Sequence, residues 1–115
     1  ITKTIKLVNG TINGNYILYT NNKTIYPFKN NLLHGYCKEY NFNNKIKYKI
    51  KYINNKFANI YKKYDYFGYL NTEIVIINSN EYIMKKYDKN ILLYSLYKIN
   101  NKYYFLINGK KICLN

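Results

Sequence analysis

The sequence predicts an all-β fold, an antiparallel β-meander of about 11 short strands. Three observations predict it: apolar and polar residues alternate, turn signals recur mostly every 8 to 13 residues, and similar segments return at a regular interval. Alternation sends successive side chains to opposite faces of a strand. No stretch shows the periodicity of a helix, and ten turns imply about 11 strands.

Asparagine dominates the predicted turns. Asn tolerates positive φ and Gly adopts it freely, so both suit tight hairpins. Each of these turns is expected to reverse the chain between two neighbouring strands. The turn signals are Asn9-Gly10, Asn21-Asn22, Asn30-Asn31, Asn43-Asn44, Asn54-Asn55, Phe67-Gly68, Asn78-Ser79, Lys89-Asn90, Asn100-Asn101 and Asn108-Gly109.

Alternation is clearest between Lys45 and Tyr52, where every odd position is Lys and every even position is apolar or aromatic. This strand should therefore have a lysine face and an opposite face that carries Ile46, Tyr48, Ile50 and Tyr52. Segments 73–77 and 92–97 are apolar almost throughout and are expected to be covered on both faces, either by curling of the sheet or by a partner. Pro27 is expected at a bulge, an edge or a turn because it has no N–H.

A period of 21 to 24 residues organises the chain. Segment 28–40 returns as 52–64, with aromatic on aromatic, Asn pair on Asn pair and Tyr40 on Tyr64. Such periods are typical of stacked units that cannot bury an apolar face alone. We predict one domain, residues 1–115, with approximate repeats 7–27, 28–51, 52–75, 76–98 and 99–115.

The second repeat resembles a MORN repeat of the divergent, glycine-poor kind. It has an aromatic opening, His34-Gly35 matches the family's His-Gly, and Asn43-Asn44-Lys45 matches its hairpin turn. Most other family glycines are lost, and Asn59, which tolerates positive φ, stands in the phase of Gly35. The resemblance covers about residues 7–115 in four to five copies. The resemblance implies a single-layer, twisted β-meander with one hairpin per repeat. It also implies a scaffolding or partner-binding role, sometimes at membranes, and no catalysis.

Composition sets further limits. The 115 residues carry 19 Lys, 17 Tyr and a net charge of +14, with no Arg or Trp. The favoured residues have A- and T-rich codons, so we interpret part of the charge and the Asn content as the bias of an AT-rich genome. An apolar content of 48% argues against disorder, and the length should permit an ordinary core. The first residue is Ile1, which indicates a processed product or a fragment, and no apolar run approaches the ~18 residues of a membrane span.

Lysines form the first candidate binding surface. With interleaved aromatics they could contact a nucleic acid or anionic lipid, although a solvated outer face is the plainer interpretation. The absence of Arg argues against base-specific readout, because Lys cannot make the bidentate contacts of Arg. Lys38 belongs to the same pattern. The predicted basic face is Lys45, Lys47, Lys49, Lys51, Lys62, Lys63, Lys85 and Lys86.

Tyrosines form the second candidate surface. A Tyr side chain buries a large area while its hydroxyl stays wet, and most of the 17 are expected to build the sheet itself. Tyr40, Tyr64 and Tyr87 recur in phase and are expected to stack as a ladder that could hold a partner segment. The predicted partner-binding aromatic face is Tyr40, Tyr64, Tyr87, Tyr48 and Tyr52.

No catalytic constellation is apparent. The five acidic residues are scattered, and His34 is the only histidine. Cys37 lies three residues from His34, as in a thiolate pair, but the repeat phase makes His34-Gly35 a structural turn element. Cys37 and Cys113 could pair if the sheet curls, although free, buried thiols are the favoured interpretation. Zinc-ligand spacing is absent. We predict no catalytic residue, no metal, no cofactor and no small-molecule substrate.

The sequence therefore favours a non-enzymatic repeat module that binds a protein partner or forms part of a larger assembly. The first alternative is a basic accessory protein that binds RNA, DNA or an anionic membrane surface. A third hypothesis is a small immunity or antitoxin-type protein, because divergent MORN repeats occur in that setting. The sequence leaves the partner, the compartment and the oligomeric state open.

Overall fold

The computed structural model describes residues 6–8 and 10–114, with side chains from residue 10 onward. These residues form an antiparallel β-meander without helices, which confirms the predicted fold class. In these residues 11 strands follow one another along the meander, as predicted, and a further two-residue strand, β4, pairs only with β3. The strands are β1 (Lys6–Val8), β2 (Thr11–Tyr19), β3 (Lys23–Lys29), β4 (Leu32–Leu33), β5 (Gly35–Tyr40), β6 (Ile46–Ile53), β7 (Lys56–Tyr64), β8 (Leu70–Asn78), β9 (Glu81–Asp88), β10 (Ile91–Ile99), β11 (Lys102–Ile107) and β12 (Lys110–Leu114).

The chain divides into two compact units, Ile1–Ala58 and Asn59–Asn115. In the first unit β1, β2, β3, β5 and β6 pair in that order. In the second unit the strands from β7 to β12 pair consecutively. Consecutive antiparallel pairing within each unit is the connectivity expected of a meander.

Two five-residue loops show the predicted 24-residue period in the backbone. They begin at Asn41 and Asp65, and a register shift lies beside each, at Glu39/Tyr40 and Lys63/Tyr64. In each loop the first Oδ1 accepts two backbone N–H groups: Asn41 from Asn43 (2.9 Å) and Lys45 (3.1 Å), Asp65 from Phe67 (2.9 Å) and Tyr69 (3.0 Å). The turns predicted at Asn43-Asn44 and Phe67-Gly68 are therefore wider than two-residue hairpins.

Asparagine supplies most of the left-handed backbone. The pairs Asn30-Asn31, Asn54-Asn55 and Asn100-Asn101 have positive φ at both residues, which confirms the tight hairpins predicted there. Asn59 has a φ of 66° where Gly35 has 116°, so Asn does take the place of Gly in the repeat. The turn that begins at Asn78 differs from these hairpins in its hydrogen bonding: Asn78 Oδ1 accepts the Asn80 N–H (2.9 Å). The predicted Asn9-Gly10 turn lies partly outside the described residues, since Asn9 is not among them.

Three turn asparagines also bind a strand of the preceding hairpin in their own unit. Their Oδ1 atoms accept backbone N–H groups about 20 residues earlier: Asn31 from Ile12 (2.7 Å), Asn55 from Leu33 (2.6 Å) and Asn90 from Leu70 (2.8 Å). In the first two pairs the asparagine N–H also donates to the carbonyl of the same residue, at 3.0 and 2.8 Å. These three asparagines connect successive hairpins and therefore have a structural role.

Pro27 and Gly35 fix the junction between β3 and β5. Pro27 lies in β3 beyond Ile25, the last β3 residue paired to β5. The hydrogen bonds between β3 and β5 therefore do not require an N–H at Pro27. Its carbonyl accepts the His34 N–H (2.9 Å). A Cβ on Gly35 would lie 3.3 Å from Pro27 Cγ, and φ there is 116°. His34-Gly35 is therefore a structural element of the turn, as predicted.

The expectation of an ordinary hydrophobic core is wrong. Among the described residues only Cys37, Thr72 and Ser95 are buried, and only the first is apolar. The apolar segments expected to be covered on both faces retain exposed side chains, with Ile77 47% and Leu92 49% exposed. The physical reason is that the strands of each unit form one layer, which packs no second layer against its apolar faces.

Candidate interaction surfaces

The register of β2, β3, β5 and β6 sorts the side chains of the first unit onto two faces, because directly paired residues share a face. Tyr16 pairs with Tyr26, and Cys37 pairs with Ile50. We call their side the apolar face; its members are Tyr16, Leu18, Tyr26, Phe28, Cys37, Tyr48, Ile50 and Tyr52. The opposite side, called the basic face, carries Tyr19, Lys23, Tyr36, Lys38, Tyr40, Lys49 and Lys51.

Two adjoining grooves lie on the apolar face, with volumes of about 420 and 250 Å³, and Tyr26 lines both. Ring contacts shape them: the centroids of Tyr16 and Tyr26 are 5.9 Å apart, and Tyr52 packs edge-on against Phe57 at 6.4 Å. Ile12, Tyr16, Leu18 and Phe28 complete the larger groove. Grooves with apolar walls suit apolar side chains of a partner, and the tyrosine hydroxyls that line them can form hydrogen bonds.

Glu39 is the only acidic residue between positions 1 and 58, and it lies on the apolar side, opposite Tyr48. Its Oε2 is 3.1 Å from Lys47 Nζ, and Lys47 Nζ is also 5.5 Å from the Tyr48 ring centroid. Both side chains of the ion pair are about one-third exposed, so solvent screens it. Thr24, Lys38 and Glu39 also line the smaller groove, so its wall is partly polar, whereas the larger groove is lined by apolar and aromatic residues.

The predicted lysine face of β6 does not form as one continuous row. A register shift between Glu39 and Tyr40 interrupts the alternation at Lys47, whose ammonium pairs with Glu39 instead. Lys45 precedes the strand, and its N–H donates to the Asn41 side chain. Only Lys49 and Lys51 keep the predicted arrangement, and Lys38 joins them through its pairing with Lys49.

Lysines and tyrosines interleave on the basic face. The rows across the strands are Tyr19–Lys23–Tyr40, Ile25–Lys38–Lys49 and Tyr36–Lys51. Lys23 Nζ lies 4.5 Å from the Tyr40 ring centroid, and Lys51 Nζ lies 5.8 Å from that of Tyr36. These are cation–π distances, and they hold ammonium groups beside aromatic rings.

The predicted lysines of the second unit lie on two opposite faces. Lys62, Glu73 and Lys85 share one row, where Lys62 Nζ is 3.8 Å from Glu73 Oε2. Lys63 and Lys86 flank the buried Thr72 on the other face. Lys86 Nζ donates to Thr72 Oγ1 at 2.9 Å, which gives it a structural role. The structure therefore does not gather these lysines into one basic surface.

The predicted aromatic face also divides. Tyr48 and Tyr52 lie on the apolar face, whereas Tyr40 lies on the basic face. Tyr64 lies on β7 opposite Leu70, and Tyr87 lies on β9 opposite Leu92. Because β8 lies between β7 and β9, the two tyrosine rings do not stack. The strands on either side of β8 are about 10 Å apart, too far for ring contact in register.

Sequence reasoning missed the tyrosine pair that lies at the centre of the apolar face. Tyr16 and Tyr26 precede the repeat that carries the clearest pattern, and neither belongs to the predicted aromatic face. The available signal was the two-residue spacing from Tyr16 to Leu18 and from Tyr26 to Phe28, which places each pair on one face. In the second unit it also missed a groove of about 320 Å³ lined by Tyr97, Ile99, Tyr104, Phe105, Leu106 and Lys111.

His34 and Cys37 do not form an activated thiol. Burial raises the pKa of the Cys37 thiol to about 11, so it stays protonated at neutral pH. His34 Nδ1 is buried and has no hydrogen-bond partner. Cys37 and Cys113 are free, as predicted, although Cys113 is exposed. Across residues 10–114 no three His, Cys, Asp or Glu side chains lie together as metal ligands would.

No protein-family model, curated protein or solved structure matches the chain. In the part of the chain that the structure describes, no helix could cross a membrane. Function is therefore inferred from the chemistry of the two faces of the first unit.

Proposed function

We propose that the chain is a non-catalytic interaction module whose apolar face binds an extended segment of a partner protein. One observation supports this most strongly: two adjoining apolar grooves meet at Tyr26 on one side of a single-layer unit. Contiguous exposed apolar surface of this kind is typical of protein-interaction sites. The grooves follow neighbouring strands, so an extended segment could fill both.

The chemistry of the apolar face fits a protein segment better than a charged ligand. Aromatic side chains are enriched at the centres of protein interfaces, and charged groups are depleted there. Tyr16, Tyr26 and Tyr52 supply such a centre, while the Glu39–Lys47 ion pair supplies polar groups beside it. A catalytic role would need an activated group, and the buried Cys37 thiol is not one.

We also propose that the chain is a divergent MORN-repeat protein. Two features support this: the matched loops at Asn41 and Asp65, and the positive φ shared by Gly35 and Asn59. Both recur with a spacing of 24 residues, the period that carries the sequence resemblance.

Affinity purification from native extract at ~0.15 M and ~0.5 M salt tests the proposed function, since the higher concentration screens surface charge. We expect a discrete protein to co-elute with the wild-type chain at both concentrations. Tyr26→Ser should abolish that binding because it removes the ring shared by both grooves. Tyr36→Ser, a matched change on the basic face, should leave it intact. Equal retention by both variants, or complete loss at ~0.5 M salt, would contradict the proposal.

A further inference from the structure

Positive charge is concentrated in the first unit. Residues 1–58 contain ten lysines and one acidic residue, whereas residues 59–115 contain nine lysines and four acidic residues. The formal net charges are therefore +9 and +5, which together give the +14 of the whole chain. The one carboxylate of the first unit, Glu39, lies on the apolar side. The basic face thus carries four lysines and no acidic residue in its register.

Lys38 and Lys49 stand directly opposite each other on β5 and β6. Like charges at directly opposed positions repel each other. In the second unit the corresponding row also carries an acidic residue, since Glu73 lies between Lys62 and Lys85. An anion bridging Lys38 and Lys49 would turn the repulsive pair into an attractive site.

We infer that the basic face binds single-stranded nucleic acid without sequence preference. This goes beyond the proposed function, because it uses the opposite face of the first unit and a different class of partner. Lys38 and Lys49 lie one strand apart, about 5 Å, and Lys49 and Lys51 lie about 7 Å apart along β6. Flexible lysine stems over such spacings can follow a chain of phosphates, as electrostatic grooves for single strands do.

The tyrosines favour a single strand over the other polyanions. Tyr36 and Tyr40 stand beside Lys51 and Lys23, so a phosphate that draws away the ammonium leaves a ring face for an unpaired base. Paired bases of a duplex cannot stack on such rings, and a lipid headgroup has no base to offer. The chain has no Arg, the residue that most often reads guanine, so binding through lysine and tyrosine side chains should depend little on sequence.

Fluorescence anisotropy with a labelled single-stranded oligouridine of about 12 nucleotides tests the inference across a salt series. Four phosphate contacts predict a slope of about −3 in log K against log salt concentration. Replacing Lys23, Lys38, Lys49 and Lys51 with Gln should remove most of that slope and weaken binding more than 10-fold. The matched control replaces four exposed lysines elsewhere, Lys56, Lys89, Lys102 and Lys110, with Gln and should retain most of the affinity.

Tyrosine variants separate stacking from simple charge attraction. Tyr36→Leu together with Tyr40→Leu should weaken oligouridine binding about 5-fold or more, whereas the corresponding Phe variants keep the rings and should bind like wild type. The inference is overturned if both lysine quadruples lose affinity equally, or if the Leu variants bind normally. It is also overturned if a DNA duplex or vesicles containing phosphatidylserine bind as tightly as oligouridine, since neither offers an unpaired base.

Discussion

Asparagine at the second position of a tight turn acts through both its backbone and its side chain. Asn31, Asn55 and Asn90 adopt positive φ, and the same residues accept an N–H from the preceding hairpin. Glycine would adopt the positive φ but has no side chain to accept the hydrogen bond. This double requirement explains why Asn recurs at these turns in a sheet with little buried apolar surface.

Replacing Asn55 separates the two roles. Asn55→Gly keeps the backbone conformation but loses the acceptor for the Leu33 N–H, so the free energy of unfolding should fall by about 1 kcal/mol. Asn55→Ala should cost roughly 1–2 kcal/mol more, because Ala is strained at positive φ. Urea denaturation measures both effects. Asn54→Gly is the matched control at the neighbouring position, and equal stability of the two Gly variants would refute the role of the side chain.

The two thiols should differ sharply in reactivity. The pKa of Cys37 is raised from 9.0 to about 11 by burial, and at pH 8 this lowers its thiolate fraction about 100-fold. Iodoacetamide should therefore label the exposed Cys113 much faster than Cys37 in the folded protein. In urea both should react at similar rates. Similar rates in the folded protein would mean that Cys37 is not buried.

The same shift has a consequence for stability at alkaline pH. The folded state keeps the Cys37 proton longer than the unfolded state, so this contribution to stability is complete below pH 9 and is lost as the pH rises toward 11. Cys37→Ala should flatten that part of the pH profile in urea denaturation. An unchanged profile between those pH values would show that the thiol is not desolvated.

At the scale of secondary-structure elements, the two five-residue loops are closed by a side chain rather than by a two-residue hairpin turn. Asn41 and Asp65 each close their loop with two backbone N–H groups, and each loop adjoins a register shift. In the first unit the register shift interrupts the alternation of side chains between the two faces of β6. That is why Lys47 leaves the predicted lysine row and pairs with Glu39.

Asp65→Ala should destabilise the second unit by about 1–2 kcal/mol, because two backbone donors lose their acceptor together. Amide hydrogen exchange at Phe67 and Tyr69 should accelerate in this variant. Asp65→Asn retains Oδ1, as the natural Asn41 does, and should behave like the wild-type chain. Unchanged exchange in Asp65→Ala would show that the loop is held by its backbone alone.

Across the whole molecule, alternation predicted the antiparallel meander and the shared face of Tyr48 and Tyr52, because side-chain direction follows from the strand period. It could not predict the register shift at Glu39/Tyr40, which depends on the loop that begins at Asn41. The absence of an ordinary core follows from single-layer architecture rather than from composition.

The first unit has an apolar face and a basic face on opposite sides of one layer. The proposed function depends on the first of these being a protein-binding surface. A chemical probe placed on each face can distinguish them whatever the identity of the partner. Tyr26 and Tyr40 are suitable positions, because they lie on neighbouring strands and opposite faces.

The most direct measurement is site-specific photo-crosslinking in native extract, with p-benzoylphenylalanine in place of Tyr26 or of Tyr40. We predict that the Tyr26 probe yields a discrete crosslinked protein at ~0.5 M salt and that the Tyr40 probe does not. Crosslinking of the same protein from both positions, or from Tyr40 alone, would contradict the assignment of the apolar face as the protein-binding surface.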